Sequence, residues 1–341
     1  MAPPPYSLLL LAVAACTPAA EPGAAGPGGS LRPAHPDRGE DDGSGGDNGG
    51  STDTPGGTDS GGDTDGGGGA PGGAVEPLRF VALGDAGTGD EEQYQVADAV
   101  ASVCADLGCA FALYLGDNIY SDGVTSVDDD AWEDKFEAPY AALEFPFYAV
   151  LGNHDYGGNG GAFEVERAEA QVAYTSRSNK WVMPDTFYTH TQGEVGFVAL
   201  DTTALDWANT EAQEAWLPGA LASLDTRWKI AYGHHPYISN GDHGDANENF
   251  GPFFEEHLCG QVDVYFCGHD HDLQWLEPTC GTEFIVSGAA AKLRDLGDGD
   301  NPTFFAASTY GFVWVEIDGD TFTGVYFDLD GEELFRRSFT R

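Results

Sequence analysis

Five times along this chain a short apolar, β-prone run stops at a glycine, and the next residue is aspartate, asparagine or histidine. The runs are Leu78–Leu83, Phe111–Leu115, Phe147–Leu151, Trp228–Tyr232 and Val262–Phe266. After them come Gly-Asp-Ala-Gly (84–87), Gly-Asp-Asn-Ile-Tyr (116–120), Gly-Asn-His-Asp (152–155), Gly-His-His-Pro (233–236) and, one residue on, Gly-His-Asp-His (268–271). Glycine lets the backbone turn sharply where a strand ends. Polar residues at the carboxyl ends of strands are where open α/β sheets build their sites. One Gly-Asp turn is ordinary. Five of them predict loops that converge on one sheet edge.

The segments between the runs fit that arrangement. Val96, Val100, Val103 and Leu107 recur at helical spacing. Residues 209–223 and 250–258 read as further helices, Val195–Leu200 as a strand, and the stretch between Asp155 and Val195 as loop-rich. Gly311–Ile317, Thr321–Leu329 and Glu333–Phe339 alternate and are separated by Asp-Gly turn signals, which predicts a terminal antiparallel meander. Strands alternating with helices predict an α/β fold.

The first 77 residues are of a different kind. Residues 8–15 form an apolar run too short to span a bilayer as a helix, and read as the core of an export signal. Val13-Ala14-Ala15-Cys16 resembles the lipobox of bacterial lipoproteins, in which the cysteine is acylated and becomes the mature N-terminus. Ala12-Val13-Ala14 is also a small-x-small cleavage site, so secretion without a lipid stays open. Residues 17–77 hold 20 glycines, eleven acidic and two basic residues and no Phe, Tyr or Trp. Such a segment cannot bury enough apolar surface to offset its ordering entropy, and reads as a disordered tether.

Fourteen Lys and Arg against 57 Asp and Glu leave a net charge of −43. That balance excludes a surface that coats nucleic acid or binds anionic lipid. Cys104 and Cys109 bracket a helix-to-strand loop, and Cys259 and Cys280 flank the strand that bears Gly-His-Asp-His. Both pairs are disulfide candidates in an exported chain, and no Cys-x-x-Cys spacing points to cysteine as a metal ligand.

Taken in order, the five motifs resemble the calcineurin-like metallophosphoesterases, and among them the small, tartrate-resistant purple acid phosphatases. The likeness runs from about Leu78 to Ala290 and includes Ile285-Val286-Ser287-Gly288-Ala289. Most of the superfamily carries Asp-x-His in the first motif; here that position is Gly87. Purple acid phosphatases instead supply a tyrosine three residues after the second motif's aspartate, and here that is Tyr120. The resemblance implies a four-layer α/β/β/α sandwich, two mixed sheets flanked by helices, over residues 78–341, after a signal or lipobox (1–16) and a linker (17–77).

It also implies a site. Asp85, Asp117, Tyr120 and His271 would bind Fe(III), with Asp117 bridging to a divalent Fe, Zn or Mn held by Asn153, His234 and His269. Two such ions suit in-line displacement at phosphorus by a metal-bound hydroxide. His154 would stabilise the phosphoryl oxygens with its ring oriented by Asp155, and His243 would protonate the leaving alkoxide. His235 is a possible substrate contact, His190 and His257 packing or surface residues, and Cys267 an unpaired thiol as is common in the family. The expected activity is hydrolysis of phosphate monoesters. A phosphodiesterase or nucleotide hydrolase on the same metals, and a non-catalytic metal-binding surface lipoprotein, are the alternatives. The implied protein is an exported monomer, in the bacterial cell envelope or secreted, touching a membrane only through an N-terminal lipid.

Overall fold

In a computed structural model, which describes residues 76–158 and 163–341, all five motif-ending runs are strands. The export signal, Cys16 and the tether up to residue 75 lie outside the described residues. The first three runs are β1 (Leu78–Leu83), β2 (Ala112–Tyr114) and β3 (Phe147–Ala149), followed by β4 (Trp181–Val182), β5 (Tyr188–Gln192) and β6 (Val195–Ala199). The last two runs are β7 (Trp228–Tyr232) and β8 (Val264–Cys267), followed by β9 (Leu273–Thr279), β10 (Thr282–Ser287) and β11 (Thr303–Ala307). The meander is β12 (Gly311–Asp318), β13 (Thr321–Asp328) and β14 (Glu333–Thr340). The helices are α1 (Glu91–Leu107), α2 (Val165–Tyr174), α3 (Thr202–Asp206), α4 (Glu211–Ser223) and α5 (Phe250–His257).

The strands form two seven-stranded mixed sheets, ordered β14-β13-β12-β1-β2-β3-β4 and β11-β9-β10-β8-β7-β6-β5. In the first, β1, β2, β3 and β4 run parallel and the meander pairs antiparallel to β1. In the second, β6, β7, β8 and β10 run parallel. The core lies between the sheets. Phe80 of β1 meets Phe197 of β6 edge-on at 5.7 Å and Phe266 of β8 at 6.0 Å, and Phe111 meets Phe197 at 5.4 Å.

Alternation along the strands of the second sheet serves both of its faces. Phe197, Ile230, Phe266 and Ile285 point into the inter-sheet core, whereas Val198, Ala231, Tyr265 and Phe284 pack with Leu217 and Leu221 of α4 and Phe250 and Phe254 of α5. On the first sheet's side, α1 buries Val96, Val100 and Val103. The result is the expected arrangement of two mixed sheets flanked by helices.

The stretch after Asp155 is more ordered than its sequence suggests: it contains α2, β4 and β5. The buried face of α2 is Ala168, Ala170, Gln171 and Tyr174, too small and polar to show an apolar stripe. Both expected disulfides are present, Cys104–Cys109 and Cys259–Cys280, and Cys267 is a buried free thiol. His190 is packed between Tyr148 and Phe197, and burial pushes its pKa down to about 3. Among the described residues no helix is long and apolar enough to cross a membrane.

Candidate metal centre

The parallel strands of both sheets end at one seam, and backbone hydrogen bonds stitch it together. Gly84 donates to Ser287 (2.8 Å), Asp85 to Gly116 (3.1 Å) and Gly268 to His234 (3.0 Å). Asp85, Asp117 and His269, each directly after a glycine, have positive φ (57°, 51° and 69°). Left-handed backbone is uncommon for side-chain-bearing residues and concentrates where geometry serves a site. Glycine is also needed for close approach. A Cβ on Gly152 would lie 2.2 Å from the amide and a carboxylate oxygen of Asp117. At Gly87 a Cβ would lie 1.8 Å from the carbonyl oxygen of Asn118, so the first motif has no room here for a histidine.

Two groups of donors meet across the seam. In one, Tyr120 Oη donates to Asp117 Oδ2 at 2.7 Å and lies 3.0 Å from Asp85 Oδ1, while His271 Nε2 is 3.3 Å from both Tyr120 Oη and Asp85 Oδ1. In the other, His234 Nε2 is 3.1 Å from Asn153 Oδ1, 3.1 Å from His269 Nδ1 and 3.4 Å from Asp117 Oδ1. Asp117 turns one oxygen to each group. All seven residues expected to bind metal are thus brought together.

The chemistry of these donors fits cations. Burial raises the pKa of Asp85, and burial with the neighbouring Asp117 and Asp85 carboxylates raises that of the Tyr120 phenol. A bound cation reverses that penalty and favours the anions. Burial holds His269 well below the usual histidine range and His271 at about 4, so both imidazoles are neutral and keep a lone pair. His234 donates through Nδ1 to the Leu115 carbonyl at 2.9 Å, which fixes the ring with Nε2 turned toward Asn153, His269 and Asp117.

Asp155 is placed differently from the expectation. Its carboxylate does not touch the His154 ring, whose Nδ1 meets the carbonyl of Ser121. It accepts instead from the amides of Gly152 (2.8 Å), Asn118 (3.0 Å) and Ile119 (3.2 Å), and from the side chains of Asn118 (3.0 Å) and Gln171 (2.7 Å). A carboxylate among five donors satisfies the amides of two motif loops at once, and that is where the fold uses it. Asp155 therefore braces the loops that carry Asp117 and Asn153. His154 lies at the centre, Nε2 3.9 Å from Asp117 Oδ2.

His243 stacks on His269 with ring centroids 4.1 Å apart. Its amide donates to Asp270 Oδ1 at 2.7 Å, and Asp270 Oδ2 accepts from the Ser239 hydroxyl, which pins the loop between β7 and α5 to the fifth motif. Thr202 Oγ1 accepts from the amides of His234 (3.0 Å) and His235 (2.9 Å). Gln171, Thr202 and Ser239 carry no sequence signal for these roles, because their partners lie 16 to 33 residues away. Two cations flank His271: Lys292 sits over the Tyr120 ring at 4.5 Å, and Arg294, whose amide bonds the His271 carbonyl, lies 3.2 Å from His243 Nε2.

The sequence profile of the family described as calcineurin-like phosphoesterase matches residues 78–273. The chain is 30% identical over 306 residues to tartrate-resistant acid phosphatase type 5 of Oryctolagus cuniculus, covering 77% of this chain and 91% of that protein. Among solved structures, the fold is similar to GAP50, the anchor in the inner membrane complex of Plasmodium (TM-score 0.66, 22% identity, 77% of this chain and 89% of that one). It is also similar to purple acid phosphatase PPD1 from seeds of yellow lupin, Lupinus luteus (TM-score 0.63, 18% identity, 78% of this chain and 54% of that one).

Proposed function

Since the chain belongs to the calcineurin-like phosphoesterases, with tartrate-resistant acid phosphatases among its relatives, and is therefore a metal-dependent phosphoesterase with a dinuclear site, we propose that it hydrolyses phosphate monoesters as an acid phosphatase. Asp85, Asp117, Tyr120 and His271 would hold Fe(III), and Asp117, Asn153, His234 and His269 a divalent Fe, Zn or Mn. When bound, such a pair supplies Lewis acidity toward the phosphoryl oxygens and makes water a competent nucleophile at low pH.

One observation carries this reading: the two oxygens of Asp117 divide between a group that contains a phenol and a group that contains only amide and imidazole donors. A hard anionic phenol oxygen suits a trivalent ion, and imidazole suits a divalent one. The chain's own residues supply the rest. His154 is positioned beside Asp117 to donate to a phosphoryl oxygen. His243, held by Asp270 and stacked on His269, is positioned to give a proton to the departing oxygen. Asp155 acts through the loops it braces. The two disulfides support an exported protein, and the Val13–Cys16 sequence supports a lipid anchor in the cell envelope.

The test is to purify the protein and record its visible absorption, its metal content and its turnover of p-nitrophenyl phosphate from about pH 4 to about pH 8. A violet band that disappears in Tyr120→Phe is the expected outcome. A colourless, zinc-only protein of equal activity would refute the ferric assignment, and a metal-loaded protein without turnover would refute the phosphatase.

A further inference from the structure

His235, between His234 and Pro236, is held at three points. Its amide donates to Thr202 Oγ1 at 2.9 Å, its carbonyl accepts from Tyr265 Oη at 2.7 Å, and its ring Nδ1 lies 3.1 Å from the same Thr202 Oγ1. Thr202 and Tyr265 are completely buried. A Cβ on Gly233 would lie 2.5 Å from Thr202 Cγ2 and 2.9 Å from Tyr265 Oη, so glycine is what lets the loop pack this closely. The His235 ring is thus fixed in place.

Its proton is fixed as well. A threonine hydroxyl has two acceptor lone pairs and one hydrogen. Both lone pairs of Thr202 Oγ1 are taken, by the amides of His234 (3.0 Å) and His235 (2.9 Å). Its hydrogen needs an acceptor, because a hydrogen bond left unmade in the interior is costly. Among the described residues the acceptor within reach is His235 Nδ1. Nδ1 therefore keeps its lone pair, and the proton of the ring sits on Nε2. No group among the described residues accepts from Nε2. His235 lines a cavity of about 460 Å³ together with Asn153, His269 and His243. In that lining His269 is flanked by the rings of His235 (4.4 Å) and His243 (4.1 Å), and Arg294 Nη1 reaches His243 Nε2 at 3.2 Å. The mouth of the second donor group thus carries an N–H donor, aimed by Thr202, for which the protein supplies no acceptor.

We propose that the Nε2–H of His235 binds an oxygen of the phosphoryl group on the side of the second donor group, and so holds both the substrate and the inorganic phosphate product. This rests on the reading above that the centre takes a phosphoryl group. His154 stands beside Asp117 at the first donor group, and His235 is its counterpart at the second. His235 neither gives nor takes a proton: it is a phosphate-binding residue, and Thr202 is a positioning residue. A contact made alike to substrate, transition state and product contributes to affinity and leaves the chemical step unchanged.

Two measurements on the full chain test the assignment. In zinc-loaded protein, which is diamagnetic, NMR of isotope-labelled histidine nitrogens is expected to find the His235 proton on Nε2; a proton on Nδ1 overturns the proposal. Equilibrium dialysis with inorganic phosphate then compares metal-loaded variants whose metal content and Tm are measured. His235→Asn has an oxygen to replace Nδ1 at Thr202 but no atom at the place of Nε2. It is expected to bind phosphate about tenfold more weakly, with KM for p-nitrophenyl phosphate raised by a similar factor and kcat kept. His235→Gln, whose amide nitrogen reaches the place of Nε2, is expected to recover most of the affinity. Unchanged phosphate affinity in His235→Asn overturns the contact, and so does loss of metal from it, which would make His235 a support of the ion instead. An unaltered protein that binds phosphate but turns over no ester refutes the phosphatase and leaves the contact standing; one that binds no phosphate refutes both.

Discussion

Asp155 shows how a residue can be found by sequence and misread in role. Its place in Gly-Asn-His-Asp marked it, but not that its partners would be amides of two different loops. In Asp155→Asn one acceptor oxygen becomes a donor facing donors, which should cost about 3 kcal/mol. Metal content should fall, because Asp117 and Asn153 flank the amides it holds, while the residual activity keeps its pH profile. A shifted pH profile at full metal content would return Asp155 to the His154 ring. The five motif clusters were legible because glycine tags each strand end, whereas Tyr120, His243 and the division into ligands and acid/base groups came from the family resemblance. Gln171, Thr202 and Ser239 were not legible, because their roles come from neighbours brought close only by folding. Protonation adds a second prediction at this scale. Burial raises Asp201 to about 6 and Asp272 to about 7 from an ordinary value of 3.8, and raises Asp85 and Asp155 as well. Protons held more tightly by the fold stabilise it below the unfolded pKa, and that stabilisation is lost as pH rises through the folded value. Metal-free protein should therefore lose stability between about pH 4 and about pH 8. Cations that replace the protons should widen the Tm gap between loaded and metal-free protein as pH rises; a constant gap would contradict this.

At the scale of elements, each sheet has a block of parallel strands that end at the same seam, with antiparallel strands beside it. Parallel strands buried on both faces read as short continuous apolar runs, which is why β1, β2, β3, β7 and β8 were evident. The β9–β10 hairpin was not read as strands. It turns at Cys280 and Gly281, and Cys280 is tied to Cys259 just after α5. The 21-residue separation of that bridge encloses β8 and the fifth motif. Replacing both cysteines with serine should cost about 3 kcal/mol through the unfolded chain's entropy. Denaturant titration would measure it, with metal content retained at low denaturant. An equal loss of metal in buffer would mean that the bridge also shapes the site.

The whole chain carries a net charge of −43, yet it belongs to a family that acts on phosphate esters. Long-range repulsion should slow the approach of an anionic substrate, so kcat/KM should rise with ionic strength over the range where the Debye length shrinks from about 30 Å to about 10 Å. A fall with salt would show that local cations such as Lys292 and Arg294 govern capture instead. The division of donors between the sheets has another consequence. Asp85, Asp117, Tyr120 and Asn153 follow β1, β2 and β3, whereas His234, His269 and His271 follow β7 and β8. Each ion would thus take oxygen from the amino-terminal half of the polypeptide and nitrogen from the carboxyl-terminal half. A chain released before His269 would own neither complete set, so the filling of both metal positions would report that both halves of the site had been made.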